Sequence, residues 1–247
     1  MIVREIRAKS ILSKSQVYDY ALNAYVGCRH GCAYCYAKFM KRFTGHREQW
    51  GEFVDVKINA AELVAREVRK KARGTVWISG VCDPYQHLEK RYVLTGRCLE
   101  VLIENGWPIT VQTKSPLVLR DIGILKRSAD AEVGFTITTA DDKVRKIFEA
   151  GAPPVDKRID ALGILHAEGI RTYVMVAPML PGAEGLPDKL KGKVDHALID
   201  RYNYFYADGI YKRYGMEWAR EGRFFRERGE ELRAAFEKAG ISCRKLY

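Results

Sequence analysis

The chain has 247 residues, 47% of them hydrophobic, and carries 42 Lys and Arg against 31 Asp and Glu, a formal net charge of +11. That length suits one α/β barrel or two smaller domains, no apolar run approaches the ~18 residues of a membrane span, and the charged start Met-Ile-Val-Arg-Glu-Ile-Arg excludes a secretory signal peptide. The expectation is a cytoplasmic protein with reduced thiols and no membrane partner, whose charge favours polyanions such as nucleic acid.

The basic residues are dispersed along the chain and read largely as solvated helix faces. Asn and Gln number four each, a scarcity expected of a thermophilic source, where charged networks replace thermolabile amides.

Taken in order, short apolar runs alternate with helical patterns, which predicts successive βα units around a parallel sheet. Residues 21–26 read as a first strand ending before a cysteine-rich loop, with a helix over 34–43. Residues 53–58 read as an extra strand or a lead-in, and 61–71 as a helix with Leu63, Val64 and Val68 on one face. Strands follow over 75–79, 109–113, 132–138 and 172–177, with a short sixth over 197–199. Helices are expected over 95–105, 117–126, 142–149 and 156–168. Residues 178–193 read as a loop rich in Gly and Pro. Residues 218–239 form a long charged amphipathic helix. Five or six such units predict a single domain over 1–247, a partial (β/α)6 TIM-like barrel with its core at about 20–182 and a C-terminal helical extension over 183–247. In such folds functional groups gather at strand ends.

Three cysteines, Cys28, Cys32 and Cys35, sit in the run Gly27-Cys-Arg-His-Gly-Cys-Ala-Tyr-Cys-Tyr-Ala-Lys38. Three close thiolates without an obvious fourth would hold a [4Fe–4S] cube by three corners and leave one iron open, as catalytic metal sites leave a position open. A zinc site completed by His30 is the alternative, although one residue on either side of a cysteine is poor ligand spacing, and His30 is expected on the loop surface. A disulfide would need an oxidising compartment.

The C-x3-C-x2-C spacing resembles the radical S-adenosylmethionine (SAM) enzymes. Within them, Asp83-Pro-Tyr-Gln86 with Glu89 and Thr95 is similar to spore photoproduct lyase and its shorter relatives. So are Gln112-Thr-Lys-Ser115, Phe135-Thr-Ile-Thr-Thr139 with Asp142, Ala152-Pro-Pro154 with Arg158, and Val176-Ala-Pro-Met-Leu-Pro181. The resemblance covers about residues 20–182 and implies a [4Fe–4S] cluster, SAM, and an external one-electron reductant of flavodoxin or ferredoxin type. It implies that reductive cleavage of SAM yields a 5′-deoxyadenosyl radical that abstracts hydrogen from a substrate.

By position, the resemblance also implies that backbone groups near Ser79 and Gly80 take the methionyl amino group, that Lys114 faces the methionyl carboxylate, and that Thr136 and Thr138 lie near SAM. Arg158 is a second candidate for the carboxylate or a helix cap. Tyr34 is placed beside the adenine, and Tyr36 is a candidate hydrogen-atom relay. The lyase's hydrogen-donor cysteine aligns with Gly80, whereas Cys82 takes the place of a family serine, as a candidate donor or a buried inert thiol. With 27 residues before Cys28, no counterpart of the lyase's longer N-terminal region is expected, nor a match to its C-terminal lesion-binding segment. The substrate class expected is a nucleic-acid lesion or modified base. The alternatives are a small molecule or peptide, or a non-catalytic nucleic-acid-binding protein with a structural metal.

Taken alone, Asp83-Pro84 is a turn opener and Glu89 a partner for Lys90 or Arg91. Cys98 reads as core, Cys243 as isolated, and His46, His87, His166 and His196 as ordinary surface or satisfied histidines.

Overall fold

The computed structural model describes residues 1–247. Its strands are β1 (Ile2–Ile6), β2 (Leu12–Lys14), β3 (Tyr20–Leu22), β4 (Tyr25–Val26), β5 (Phe53–Lys57), β6 (Val76–Ile78), β7 (Ile109–Thr113), β8 (Ala131–Thr136), β9 (Arg171–Val176), β10 (His196–Ile199) and β11 (Ser242–Lys245). Eight of them form one sheet in the order β11-β10-β9-β8-β7-β6-β3-β2. From β3 through β11 every neighbouring pair is parallel, and only β2 runs antiparallel to β3. The sheet has two free edges and so forms the expected partial barrel. A small second sheet, β1-β5-β4, carries the approach to the cysteine loop.

The central strands are rich in β-branched and aromatic residues, and Val76, Ile78, Ile109, Val111, Val133, Phe135, Val174, Val176, Ala197 and Ile199 are buried. Continuous apolar runs are what a parallel sheet covered on its faces requires. Helices Ala60–Glu67, Leu94–Glu104 and Val155–Ala167 complete one core by burying Val64, Leu99, Leu102, Leu162 and Leu165.

Four expectations are corrected. The first strand breaks after Leu22, because Asn23 turns its amide oxygen to accept from Ser79 Oγ at 2.8 Å and Val81 N at 2.9 Å; Tyr25 and Val26 then join the smaller sheet. The helices expected over 34–43 and 117–126 are shorter or divided: 36–43 and 116–121 are 3₁₀, and only Ile122–Leu125 is α. The stretch over 178–193 is not all loop: Leu186–Leu190 is helical, with Leu186 and Leu190 fully buried. Their i, i+4 spacing puts both on one face. The C-terminal segment ends not in its helix, Gly222–Lys238, but in β11, which adds a further parallel strand beside β10.

Candidate active site

The barrel register brings the C-terminal ends of β3, β6, β7 and β8 to one rim, because Leu22, Ile78 and Val111 stand side by side, as do Thr113 and Phe135. The residue after each strand therefore faces the same space: Asn23, Ser79 with Gly80, and Lys114, with Thr138 two residues beyond β8.

The cysteine loop is clamped onto this rim from two sides. Gln86 donates from Nε2 to the Gly27 carbonyl at 3.1 Å and accepts from Arg29 N at 3.1 Å. On the far side Ala33 N donates to the Phe148 carbonyl at 2.8 Å, and Gly151 N to the His30 carbonyl at 3.2 Å. Gly27 lies at φ +89°, where a side chain is strained, and a Cβ there would stand 2.4 Å from the Phe53 carbonyl oxygen. A Cβ at Gly151 would stand 2.5 Å from the Arg29 carbonyl oxygen. Both glycines let backbone approach backbone directly around the loop.

All three loop cysteines are free thiols, with Cys28 and Cys32 buried. Burial, then the Asp83 carboxylate and the neighbouring thiols, hold Cys28 well above its ordinary range. Burial raises Cys32 to about 12 against the opposing charge of Lys114. Burial likewise raises Cys35, while Lys114 and Lys38 act the other way. A soft cationic centre is what would draw the protons off and hold all three as thiolates. No three His, Cys, Asp or Glu side chains converge on the spacing of a single ion, as a zinc site with ligands at about 2.3 Å would need. Three thiols on one loop at the rim are the donor set that an iron–sulfur cube takes.

His30 is buried at 6% exposure rather than on the loop surface, and its Nδ1 lies 3.4 Å from Asp83 Oδ2. Burial lowers its pKa against the raising influence of the Asp83 charge.

Asp83 does more than open a turn. It accepts from Tyr85 N at 2.9 Å, Thr113 Oγ1 at 2.7 Å and Lys114 N at 2.7 Å, which fixes the start of the β7 loop. Glu89 pairs with neither Lys90 nor Arg91. It is fully buried, accepts from the Thr95 amide at 3.0 Å, from Arg120 Nη2 at 2.8 Å and from the Tyr25 hydroxyl. It anchors the start of helix Leu94–Glu104, where a carboxylate is favoured.

The most charged part of the rim surrounds Glu149, a residue with no role in the sequence reading. Its side chain is wholly buried, lies 2.6 Å from Arg158 Nη1, accepts from Thr138 Oγ1 at 3.1 Å and from the Tyr34 hydroxyl, and has Lys114 Nζ at 4.0 Å. Burial would raise its pKa, but Arg158, Lys114 and the Tyr34 hydroxyl outweigh that and keep it ionised. Lys114 is raised despite burial, by the charges of Cys32 and Glu149. Its ammonium lies beyond hydrogen-bond reach of Glu149, and Arg158 Nη2 is buried without a partner. Two cationic groups thus keep donor capacity that the protein itself does not use.

Lys114, Tyr34 and Thr138 therefore meet in one cluster, and Arg158 joins it as a buried ion-pair partner, not a helix cap. The Thr136 side chain accepts from Gln112 Nε2 at 3.1 Å, while its carbonyl accepts from Arg158 Nη1 at 3.1 Å. Ser79 Oγ lies 2.8 Å from Cys82 Sγ and 2.9 Å from the Cys82 carbonyl, and Tyr36 donates its hydroxyl to the Gly80 carbonyl. Cys98 is fully buried in the core. His46 is a satisfied histidine between Glu48 and Asp55. No helix is long and apolar enough to cross a membrane.

A family profile described as the Radical SAM superfamily matches residues 22–184. An uncharacterized protein of Methanocaldococcus jannaschii is 35% identical over 179 residues, covering 72% of this chain and 67% of that protein. The radical SAM Nα-GlyT isomerase of Pseudomonas phage M6 is 29% identical over 157 residues, covering 63% of this chain and 32% of the isomerase. The chain thus spans between a third and two-thirds of these relatives. Among solved structures, a spore photoproduct lyase variant with bound AdoMet and dinucleoside spore photoproduct aligns with a TM-score of 0.72 at 16% identity, covering 99% of this chain and 81% of the lyase. At that identity the likeness is one of fold.

Proposed function

We propose that this chain, which belongs to the radical SAM superfamily and is therefore an enzyme, holds a [4Fe–4S] cluster at Cys28, Cys32 and Cys35 and acts on a base or lesion of nucleic acid. Held by those three cysteines, the cluster would supply one-electron reduction of SAM, with the electron drawn from an external flavodoxin- or ferredoxin-type donor, to give methionine and a 5′-deoxyadenosyl radical able to take a hydrogen atom from the substrate. The observation that carries this reading is the juxtaposition of three free thiols, two of them buried, with the donor-rich cluster of Lys114, Arg158 and Glu149 on one barrel rim.

In this reading Lys114 and Arg158 offer their unused donors to the methionyl carboxylate, a charge-assisted contact, while Glu149 keeps both cations in place. Backbone carbonyls near Ser79 and Gly80 accept from the methionyl amino group. Tyr34, tied to Glu149, forms the wall on the adenine side, with Thr136 and Thr138 nearby. Tyr36 and Cys82 border the Gly80 loop and are the candidates to pass a hydrogen atom. The Cys82 thiol, raised to about 12 mainly by burial, keeps its hydrogen at neutral pH, as a donor must. The single domain and a cytoplasmic setting belong to the same proposal. A net charge of +11 and the dinucleoside bound by the lyase variant support nucleic acid over a small molecule or peptide.

The test is anaerobic reconstitution with iron and sulfide, followed by dithionite and SAM, with deoxyadenosine followed by chromatography. A brown protein that forms deoxyadenosine, and a Cys28→Ala variant that does not, are expected. Deoxyadenosine formation by the variant with its cluster intact would overturn the assignment of ligands. Stoichiometric zinc with no cluster would overturn the cofactor.

A further inference from the structure

Beside the cysteine loop the surface carries a row of aromatic rings. Tyr36 stacks on Tyr204 with ring centroids 5.9 Å apart, and Tyr204 on Tyr206 at 6.3 Å. Phe39 stacks on the other side of Tyr36 at 6.4 Å. The interplanar angles of the successive pairs are 25°, 16° and 26°, so each ring is stacked on its neighbour. Tyr36, shared by the stacks with Phe39 and Tyr204, touches the Gly80 carbonyl, and the other rings lie open to solvent, with Tyr204 50%, Tyr206 46% and Phe39 37% exposed.

Exposed rings of this size normally find cover in a core, and here none is available. The 3₁₀ helix Tyr36–Phe43 buries only Ala37. Cations accompany the rings instead: Lys38 Nζ lies 5.4 Å from the centre of Tyr206, and the Arg42 guanidinium 5.5 Å from that of Phe39 and 4.7 Å from that of Phe43. Lys38 is fixed there by donating to the Ala33 carbonyl at 2.6 Å. Residues 36–47 contain Lys38, Lys41, Arg42 and Arg47 and no carboxylate. The nearby acids are already taken, Glu48 by His46 and Asp208 by Arg220. Lys38, Lys41, Arg42, Phe39 and Tyr206 together line a groove of about 540 Å³.

We infer that this row is a track for single-stranded polynucleotide, with bases stacked on Tyr204, Tyr206 and Phe39, phosphates along Lys38, Lys41 and Arg42, and the strand leading toward the cysteine loop. The inference deepens the nucleic-acid reading above and rests on it for the identity of the substrate. Flat π-faces flanked by cations match a strand whose bases are unpaired, because stacking needs a free base face and the backbone needs counter-charge. A duplex hides its base faces and would use only the cations. The same chemistry serves DNA and RNA, since neither a ring nor an ammonium reads the sugar.

The test is fluorescence anisotropy of the full chain, without SAM or reductant, on fluorescein-labelled oligothymidine and oligouridine of about 15 nucleotides and on a duplex of the same length. Single strands should bind more tightly than the duplex, with affinity falling as salt rises. Tyr206→Ala and Tyr204→Ala should each weaken single-strand binding about tenfold, whereas Tyr206→Phe and Tyr204→Phe keep it, because a ring and not a hydroxyl is required. Arg42→Ala should reduce the slope of log affinity against log salt by about 0.7, the value for one phosphate contact on a single strand. Tighter binding to one oligonucleotide assigns the sugar, and equal binding to both assigns a sugar-blind track. Preference for the duplex, absence of binding, or Tyr→Ala variants that bind as tightly as the parent would overturn the inference. Deoxyadenosine formation is read separately, so a protein that cleaves SAM but ignores oligonucleotides sinks this track and leaves the enzyme class standing.

Discussion

Arg158 and Glu149 form an ion pair at 2.6 Å, and neither side chain is reached by solvent. The contact is electrostatic more than a well-aligned hydrogen bond, because Glu149 Oε2 and Arg158 Nη2 find no hydrogen-bond geometry. Arg158 is tied instead through Nε to the Pro153 carbonyl at 2.8 Å and through Nη1 to the Thr136 carbonyl at 3.1 Å. It thereby joins the end of β8 to the start of its own helix, and Glu149 supplies the charge that makes such burial tolerable.

Removing one partner of a buried pair leaves the other charge uncompensated, at a cost of about 3–5 kcal/mol. Glu149→Ala should therefore lose that much in urea unfolding. Adding Arg158→Met, an apolar group of similar length, should recover a large part of it, because no charge is then stranded. A loss below about 1 kcal/mol in the single variant, the level of an exposed pair, would show that solvent or another group compensates Arg158.

Lys114 tests the site while leaving both members of that pair in place. Its ammonium makes no hydrogen bond within the protein and lies 4.0 Å from Glu149, so truncation removes little that folding uses. If the ammonium meets the SAM carboxylate, Lys114→Ala gives up a hydrogen bond to a charged group, about 1.5–3 kcal/mol, or roughly ten- to a hundredfold in affinity. Equilibrium dialysis of SAM against reconstituted protein measures it, and Lys114→Arg should keep part of the binding. Unchanged affinity in Lys114→Ala would remove the residue from the site.

The barrel was readable because its strands are nearly uninterrupted apolar runs, and β7, over 109–113, falls on its expected bounds. The cysteine loop was readable because ligand chemistry depends on spacing along the chain. Glu149 was not: its role arises from Arg158, Lys114 and Tyr34, up to 115 residues away, and a glutamate closing a helix looks like any surface acid. His30 misled for the converse reason, since its burial is imposed by Asp83 from the β6 loop. The aromatic row unites 36–39 with 204–206 across the fold, and no local period announces it. β11 is short, with Arg244 and Lys245 among its four residues, so its sequence carries no strand pattern until β10 offers it an edge.

Cys82 has a measurable signature in its titration. Burial raises the thiol to about 12, partly opposed by its contact with Ser79 and by the Lys57 charge. Only the thiolate is nucleophilic, so alkylation of Cys82 by iodoacetamide, followed by mass spectrometry, should keep rising with pH beyond 9.0, the ordinary value. The urea-unfolded chain should level off near that ordinary value. Half-maximal labelling of the folded protein at or below pH 8 or so would mean an activated nucleophile, and would rule out a thiol kept as S–H for hydrogen transfer.

Asp142 couples pH to the fold at the element that supports the cysteine loop. Its Oδ1 accepts from Arg145 Nε at 2.9 Å and from Val155 N at 3.1 Å, and its Oδ2 accepts from Arg145 Nη2 at 2.9 Å. The Arg145 fork dominates and, against a smaller opposing effect of burial, lowers the carboxyl from 3.8 to about 2. A carboxyl depressed in the folded state adds stability that is fully present above its unfolded value and is lost as pH falls through its folded value. The gap in unfolding midpoint between the parent and Asp142→Asn should therefore be constant from neutral pH down to about 4, then close as pH approaches about 2. Because the other carboxylates titrate alike in both proteins, the difference isolates this one. A gap that stays open down to pH 2 would mean that Arg145 and Val155 are held by something other than the Asp142 charge, and that the helix end carrying Phe148 and Glu149 does not depend on it.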